Sequence, residues 1–221
     1  MNARSIARLT LATGFLLAAL GAPLRLLSPS VAGPDDWEKK WNRLQPADTV
    51  MDAVGIQPGM VAAEIGAGKG RYAVQVAARV GSKGKVYAED IDAMALEYLR
   101  MRCARDTISN IETVLGGVTD PKLPRASCDF VYCINTYHHI EKPVPLLRNT
   151  ALALKPAGRL VIIEHLPEKM EKDGSEGEST PADSVMAHAR AAGYDFVERH
   201  SFLELDEIYV FRIAKQEKSA E

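Results

Sequence analysis

The stretch from Val61 to Tyr72, VAAEIGAGKGRY, constrains this chain more than any other. A run of strand length, apolar apart from Glu64, leads into glycines at 66, 68 and 70, and a helical pattern opens behind them. Strand, tight loop and helix in succession begin a parallel α/β unit, and in such sheets small ligands bind beyond the carboxyl ends of the strands. Glycine supplies positive φ and lets a ligand approach the backbone, and the start of the following helix carries unpaired N–H groups. The segment therefore reads as a site for a small polar ligand.

The glycine register narrows the choice. A dinucleotide fingerprint, G-x-G-x-x-G, counted from Gly66 needs a glycine where Arg71 stands. A phosphate loop needs Ser or Thr after the lysine, whereas Lys69 is followed by Gly70. What remains is an acid, one residue, then G-x-G-x-G. Further on, Val86-Tyr87-Ala88 reads as a second strand ending in Glu89-Asp90-Ile91-Asp92. An acid about 20 residues beyond the loop, at the end of the neighbouring strand, is positioned to accept hydrogen bonds from ribose hydroxyls. Asp90 is the first candidate, ahead of Glu89, and Asp92 caps the helix from Ala93 to Ala104.

The rest of the chain keeps the alternation. Strands are expected at 110–115, 128–134 and 159–164, with the charge-poor fourth strand at the sheet centre beside the first. Asn135-Thr136-Tyr137-His138-His139-Ile140 follows that fourth strand, on the side of the glycine loop. Pro143 opens a helix to Leu154, and Lys155 to Gly158 turn the chain. Residues 168–179 are charged, contain Gly174 and Gly177, and read as a loop. A helix from Pro181 to Ala192 and strands at 196–202 and 207–213 complete the pattern. The expected fold is α/β: a doubly wound, mostly parallel, seven-stranded Rossmann-like sheet in three layers, with an antiparallel C-terminal edge hairpin.

These motifs, in this order over about residues 46–213, resemble the class I S-adenosylmethionine (SAM) dependent methyltransferases of the small-molecule type with a His-His pair after the fourth strand. The resemblance rests on Glu64-x-Gly66-x-Gly68-x-Gly70, on Asp90, on His138-His139 and on the L-K-P-x-G-x-L run from Leu154 to Leu160. It implies SAM as the cofactor. Glu64 with Gly66, Gly68 and Gly70 would hold its amino-acid end and Asp90 its ribose, with Ala67, Ile91 and Asn135 as further cofactor-binding residues. Relatives carry an acid directly after the first glycine of the Gly116-Gly117 pair for the adenine; Gly117 departs from that pattern, and Asp120 is the remaining candidate. His138 and His139 are the candidate catalytic residues. Neighbouring histidines are expected to point apart, so no metal is assigned. Two other readings stay open: a non-catalytic SAM-binding or partner-binding module, and an NAD-dependent oxidoreductase built on a similar strand, loop and acid.

Composition sets the outer bounds. A chain of 221 residues, 47% hydrophobic, holds one ordinary α/β domain with extensions. A net charge of −2 with both signs interspersed gives no case for nucleic acid, so a small-molecule or lipophilic acceptor is expected; the oligomeric state is left open. Cys103, Cys128 and Cys133 have neither C-x-x-C nor zinc spacing and read as buried thiols. Residues 1–32 differ in kind: Arg4 and Arg8 precede an apolar run from Leu9 to about Leu27, and Ser30-Val31-Ala32 offers a cleavage site. A signal peptide, an uncleaved membrane anchor and an amphipathic helix are the three readings, giving an exported (periplasmic) or membrane-anchored chain, including a cytoplasm-facing anchor. Export sits awkwardly with a cofactor made in the cytoplasm. The expected organisation is 1–32 as this segment, 33–57 as a helical extension, 58–214 as the methyltransferase domain and 215–221 as a tail.

Overall fold

Residues 35–173 and 177–215 are described in the computed structural model. Two short helices, α1 (Asp36–Leu44) and α2 (Ala47–Val54), precede strand β1 (Val61–Ile65). Then come α3 (Ala73–Val80), β2 (Lys85–Asp90), α4 (Ala93–Asp106), β3 (Ile111–Leu115) and β4 (Cys128–Ile134). A 3₁₀ turn at Tyr137–His139 leads to α5 (Pro143–Ala151), β5 (Leu154–His165), α6 (Pro167–Asp173), α7 (Ala182–Ala191), β6 (Tyr194–His200) and β7 (Asp206–Ile213). Local chemistry sets several boundaries. The Asp35 carboxylate accepts the Glu38 amide at 2.8 Å to cap α1, and Asp92 does the same for Met94 at the start of α4. Gly55 closes α2 in the left-handed region.

The seven strands form one sheet in the order β3-β2-β1-β4-β5-β7-β6, parallel except for β7, which runs antiparallel to both neighbours. The order reverses between β1 and β4. Register aligns Ile65 with Glu89 on one side and with Cys133 on the other, so β1, β2 and β4 end level and their loops meet over one crevice. Side-chain alternation splits the core in two. Ala62, Val86, Phe130 and Val161 pack with Val76 and Leu99 on one face. Ala63, Val131, Leu160 and Ile162 pack with Leu146 and Val185 on the other. This is the three-layer doubly wound sheet that the alternation predicts. The three cysteines are free and buried.

Several local expectations are corrected. Residues 168–173 belong to α6 rather than to a loop: Pro167 pre-sets its first turn, Met170 buries its side chain, and the Met170 amide donates to the Leu166 carbonyl at 3.0 Å. α5 ends at Ala151, and β5 already begins at Leu154, so the Lys155–Gly158 turn is an irregularity within a strand, matched by a register shift between Cys128 and Phe130. β6 begins at Tyr194, two residues earlier than its hydrophobic run suggests, because Tyr194 is buried and its hydroxyl donates to the Leu147 carbonyl. The readings for residues 1–32 and for tail residues 216–221 lie outside the described residues. Among the described residues, no helix is long and apolar enough to cross a membrane.

Ile162, fully buried in the central part of β5, tests the packing of the second core face. Ile162→Ala is expected to lower unfolding free energy by about 2–5 kcal/mol in urea titration, and a loss under about 1 kcal/mol would show the site to be loosely packed.

Candidate active site

The loop after β1 crosses the end of the sheet because its glycines permit it. Gly66 and Gly68 adopt φ of 72° and 54°. A Cβ on Gly66 would run into the Thr136 side chain and one on Gly70 into Leu99, so these two glycines let the loop pack down on β4's exit and on α4. Gly68 is different: a Cβ there would meet no protein atom within 4 Å. It faces a cavity of about 660 Å³, a size suited to a small-molecule or cofactor site.

One wall of that cavity carries the β2 acids. Asp90 Oδ2 accepts the Gly68 amide at 2.7 Å, and Oδ1 accepts the Asp92 amide at 2.8 Å. Its carboxylate is thereby fixed at the cavity edge beside Ile91. Glu89 also lines the cavity, although it is nearly fully buried. Its main-chain carbonyl accepts the Ala67 amide at 2.8 Å, and Gly116 leaves room for its side chain. Burial raises its carboxyl to about 8.

Asn135 lines the far wall at the end of β4, in the left-handed region at φ 53°. His139, Ile140 and Leu146 continue that wall. His138 lies behind them, outside the cavity lining, its Nδ1 2.7 Å from Oε1 of the buried Glu164. Its ring stacks on His165, which in turn stacks on Trp41. The expectation that the paired histidines diverge is corrected: in the 3₁₀ turn their ring centroids lie 4.2 Å apart.

The structure thus brings Gly66, Ala67, Gly68, Asp90, Ile91, Asn135 and His139 to one cavity. Glu64, Gly70, Asp120 and His138 do not line it. Glu64 is buried beneath the loop, accepting the Tyr132 hydroxyl at 3.1 Å. Asp120 is exposed and closes a turn, with its main chain paired to Gly117 and Oδ1 accepting the Lys122 amide. Gly117 and Val118 themselves face the cavity where an acid was sought.

Sequence reading missed a polar network beneath the site. Arg71 lines the cavity and donates to Gln45 Oε1 at 2.7 Å. Gln45 Nε2 donates to Asn135 Oδ1 at 2.6 Å and to Asp206 Oδ2 at 3.0 Å, and Asp206 holds His165 Nδ1 at 2.6 Å. The first helix joins the wall as well: Asp35, Trp37 and Glu38 line the cavity, and Glu38 pairs with Arg102 at 2.7 Å. Arg71 was legible as a charge directly after the glycine loop, and Glu89 as the neighbour of Asp90. Gln45 carried no such mark.

Known proteins with this arrangement agree on its class. Residues 63–162 match the family model described as a methyltransferase domain. A SAM-dependent methyltransferase from Aquifex aeolicus superposes with a TM-score of 0.69 at 24% identity, covering 81% of this chain and 98% of that one. The [4+2]-cyclase SpnF superposes at 0.66 with 14% identity over 83% and 85%, so the fold is shared beyond methyl transfer. In sequence, the chain is 33% identical over 101 residues to the mitochondrial ubiquinone biosynthesis O-methyltransferase of Schizosaccharomyces pombe, covering 45% of this chain and 35% of that protein. It is 28% identical over 115 residues to an uncharacterized 37.1 kDa protein in transposon TN4556 of Streptomyces fradiae, covering 52% and 33%. The chain spans about a third of the length of these curated relatives. Residues 63–162 thus match a methyltransferase domain, and the sheet has the fold of the SAM-dependent methyltransferases.

Glu64 lends the site a pH signature. Burial raises its carboxyl from 4.5 to about 8, against the attraction of Arg71. The folded chain keeps this proton where the unfolded chain releases it, so the burial lowers stability progressively as pH rises from the unfolded value toward 8. Glu64→Gln removes that penalty while keeping an acceptor for Tyr132. The variant is expected to gain unfolding free energy over wild type between about pH 5 and pH 8; a difference constant across this window would mean that Glu64 is already charged in the folded chain.

Proposed function

We propose that the chain transfers a methyl group from SAM to a small or lipophilic acceptor, with an oxygen nucleophile as the favoured case. The observation that carries this reading is Asp90 locked to the Gly68 amide at the edge of the 660 Å³ cavity, opposite the wall of His139, Ile140 and Leu146. Its residues fit the cofactor by chemistry: a fixed carboxylate for vicinal ribose hydroxyls, an open backbone face at Gly68 for the amino-acid end, and apolar Ile91 and Val118 against which an adenine ring can lie. The oxygen preference draws on the name of the Schizosaccharomyces pombe relative, an O-methyltransferase.

Bound SAM supplies an activated methyl: the acceptor's lone pair forms a bond to the methyl carbon as the carbon–sulfur bond breaks, its electron pair passing to sulfur to leave a thioether. The chain's own share is orientation and water exclusion. Asp90, Gly66, Ala67 and Gly68 hold one end of the cavity. Trp37 and Glu38 also line it, as does Arg71, which offers a cation for a carboxylate. Ile140 and Leu146 give the acceptor an apolar seat. A proton released by the acceptor departs at the histidine wall, where His138 is positioned by Glu164 and His139 faces the cavity.

Calorimetric titration of the full chain with SAM and with NAD tests the cofactor. SAM binding is expected and NAD binding is not; the reverse would overturn the reading. Asp90→Ala should cost about 1.5–3 kcal/mol of SAM affinity through lost charge-assisted hydrogen bonds. Radiolabelled SAM incubated with cell extract should label an organic-soluble or small-molecule fraction. Tight SAM binding with no label in any fraction would favour the non-catalytic binding module.

A further inference from the structure

We propose that His138, His139 and Glu178 form a binding site for one divalent transition-metal ion of the zinc type, at the acceptor end of the cavity. Both imidazoles stand on one 3₁₀ turn, held by the His139 amide to the Thr136 carbonyl at 2.9 Å and the Ile140 amide to the Tyr137 carbonyl at 3.1 Å, and their rings meet edge to face. One ligand atom from each of the three residues lies within 4.8 Å of the other two, and His139 Nδ1 stands 3.0 Å from Glu178 Oε2. Two ligands bonded to one zinc at about 2.0–2.2 Å stand roughly 3.0–3.5 Å apart, so this pair already has the spacing of neighbours in a coordination shell. Rotation of the exposed Glu178 and His139 side chains brings the third ligand within reach.

The residue behind the cluster supports it independently. His138 gives Nδ1 to Glu164, which leaves Nε2 for an ion. A buried carboxylate on the far nitrogen is the usual support of a metal-bound histidine, because it fixes the tautomer and raises the ligand's basicity. Glu164 is fully buried. The same Glu164 oxygen accepts the Thr180 amide at 3.1 Å, so one carboxylate orients His138 and anchors the segment that carries Glu178. Stability alone does not account for the arrangement, since His139 and Glu178 are 62% and 72% exposed and a pair that open to water contributes little.

Two imidazoles and one carboxylate suit zinc and its first-row neighbours and leave coordination positions free. His139 lines the cavity, so a free position is accessible from it. Under the methyl-transfer reading, an acceptor hydroxyl coordinated there loses its proton to solvent more readily and meets the methyl as an oxyanion. That consequence rests on the proposed function; the metal site does not.

The test is a metal titration of full-length, untagged, chelator-stripped chain without SAM. Cobalt(II) should bind at one equivalent with visible ligand-field bands, and zinc should displace it. His139→Ala and Glu178→Gln should each weaken zinc at least tenfold with no change in unfolding midpoint, since both side chains are exposed. Glu164→Gln should weaken it about 10–100-fold. No stoichiometric binding by the wild-type chain, or binding that both exposed-residue variants leave intact, would overturn the proposal. SAM calorimetry on the same stripped chain separates the readings: intact SAM binding without metal binding defeats only the metal site, and metal binding without SAM binding defeats only the proposed function.

Discussion

A single buried amide holds the region together. Gln45 has no solvent exposure. Its oxygen accepts from Arg71 at 2.7 Å and from Asn135 Nδ2 at 3.4 Å, and its nitrogen donates to Asn135 and Asp206. Buried polar groups are costly unless partnered, and a fully satisfied network in a low-dielectric interior admits few alternative arrangements. Gln45 and its three partners come from different places in the chain: the helix-to-helix turn before β1, the glycine loop's exit, the end of β4 and the start of β7. Through this amide the N-terminal helices become part of the sheet's ligand-binding edge, and Trp37 and Glu38 reach the cavity.

The two halves of the cavity obey different physics. At the glycine-loop end, the Asp90 carboxylate accepts the Gly68 and Asp92 amides. Beneath that side lie Glu64 and Glu89, both raised to about 8 by burial, so the floor carries less negative charge at neutral pH than its composition suggests. At the other end, apolar Ile140 and Leu146 line the cavity with His139, and the carboxylate-backed His138 lies behind them. One space thus has a polar, amide-lined end and an apolar end that carries a histidine.

Much of this was legible in the sequence, for reasons specific to its elements. The β1 loop, the acid at position 90 and the central position of β4 follow from patterns that are local or nearly so: glycines at fixed offsets, an acid at a strand end, a run too apolar for an edge. The elements misread are those whose identity depends on a distant partner. α6 forms in a charged stretch because Lys169 finds the Leu203 and Asp206 carbonyls and Glu207. β6 starts at Tyr194 because the hydroxyl meets α5's Leu147. Gln45 looked like a helix-end residue, since nothing near it in sequence announces Arg71, Asn135 or Asp206. The paired histidines were misjudged for another reason: side chains that leave the backbone in different directions still bring their rings to 4.2 Å between centroids.

The Thr136 hydroxyl lies 3.2 Å from the Gly66 carbonyl, and the Thr136 side chain fills the space a Gly66 Cβ would need. The loop that carries the histidines is therefore clamped to the loop that carries the glycines at a single residue, and everything from Tyr137 to Glu141 lies beyond the clamp. Substitutions at the exposed His139 and Glu141 can reshape that end of the cavity, whereas Tyr137 and His138 are held inward by His188 and Glu164. The fold thus contains a natural partition between a part that must stay and a part free to change, and its hinge line runs through one threonine.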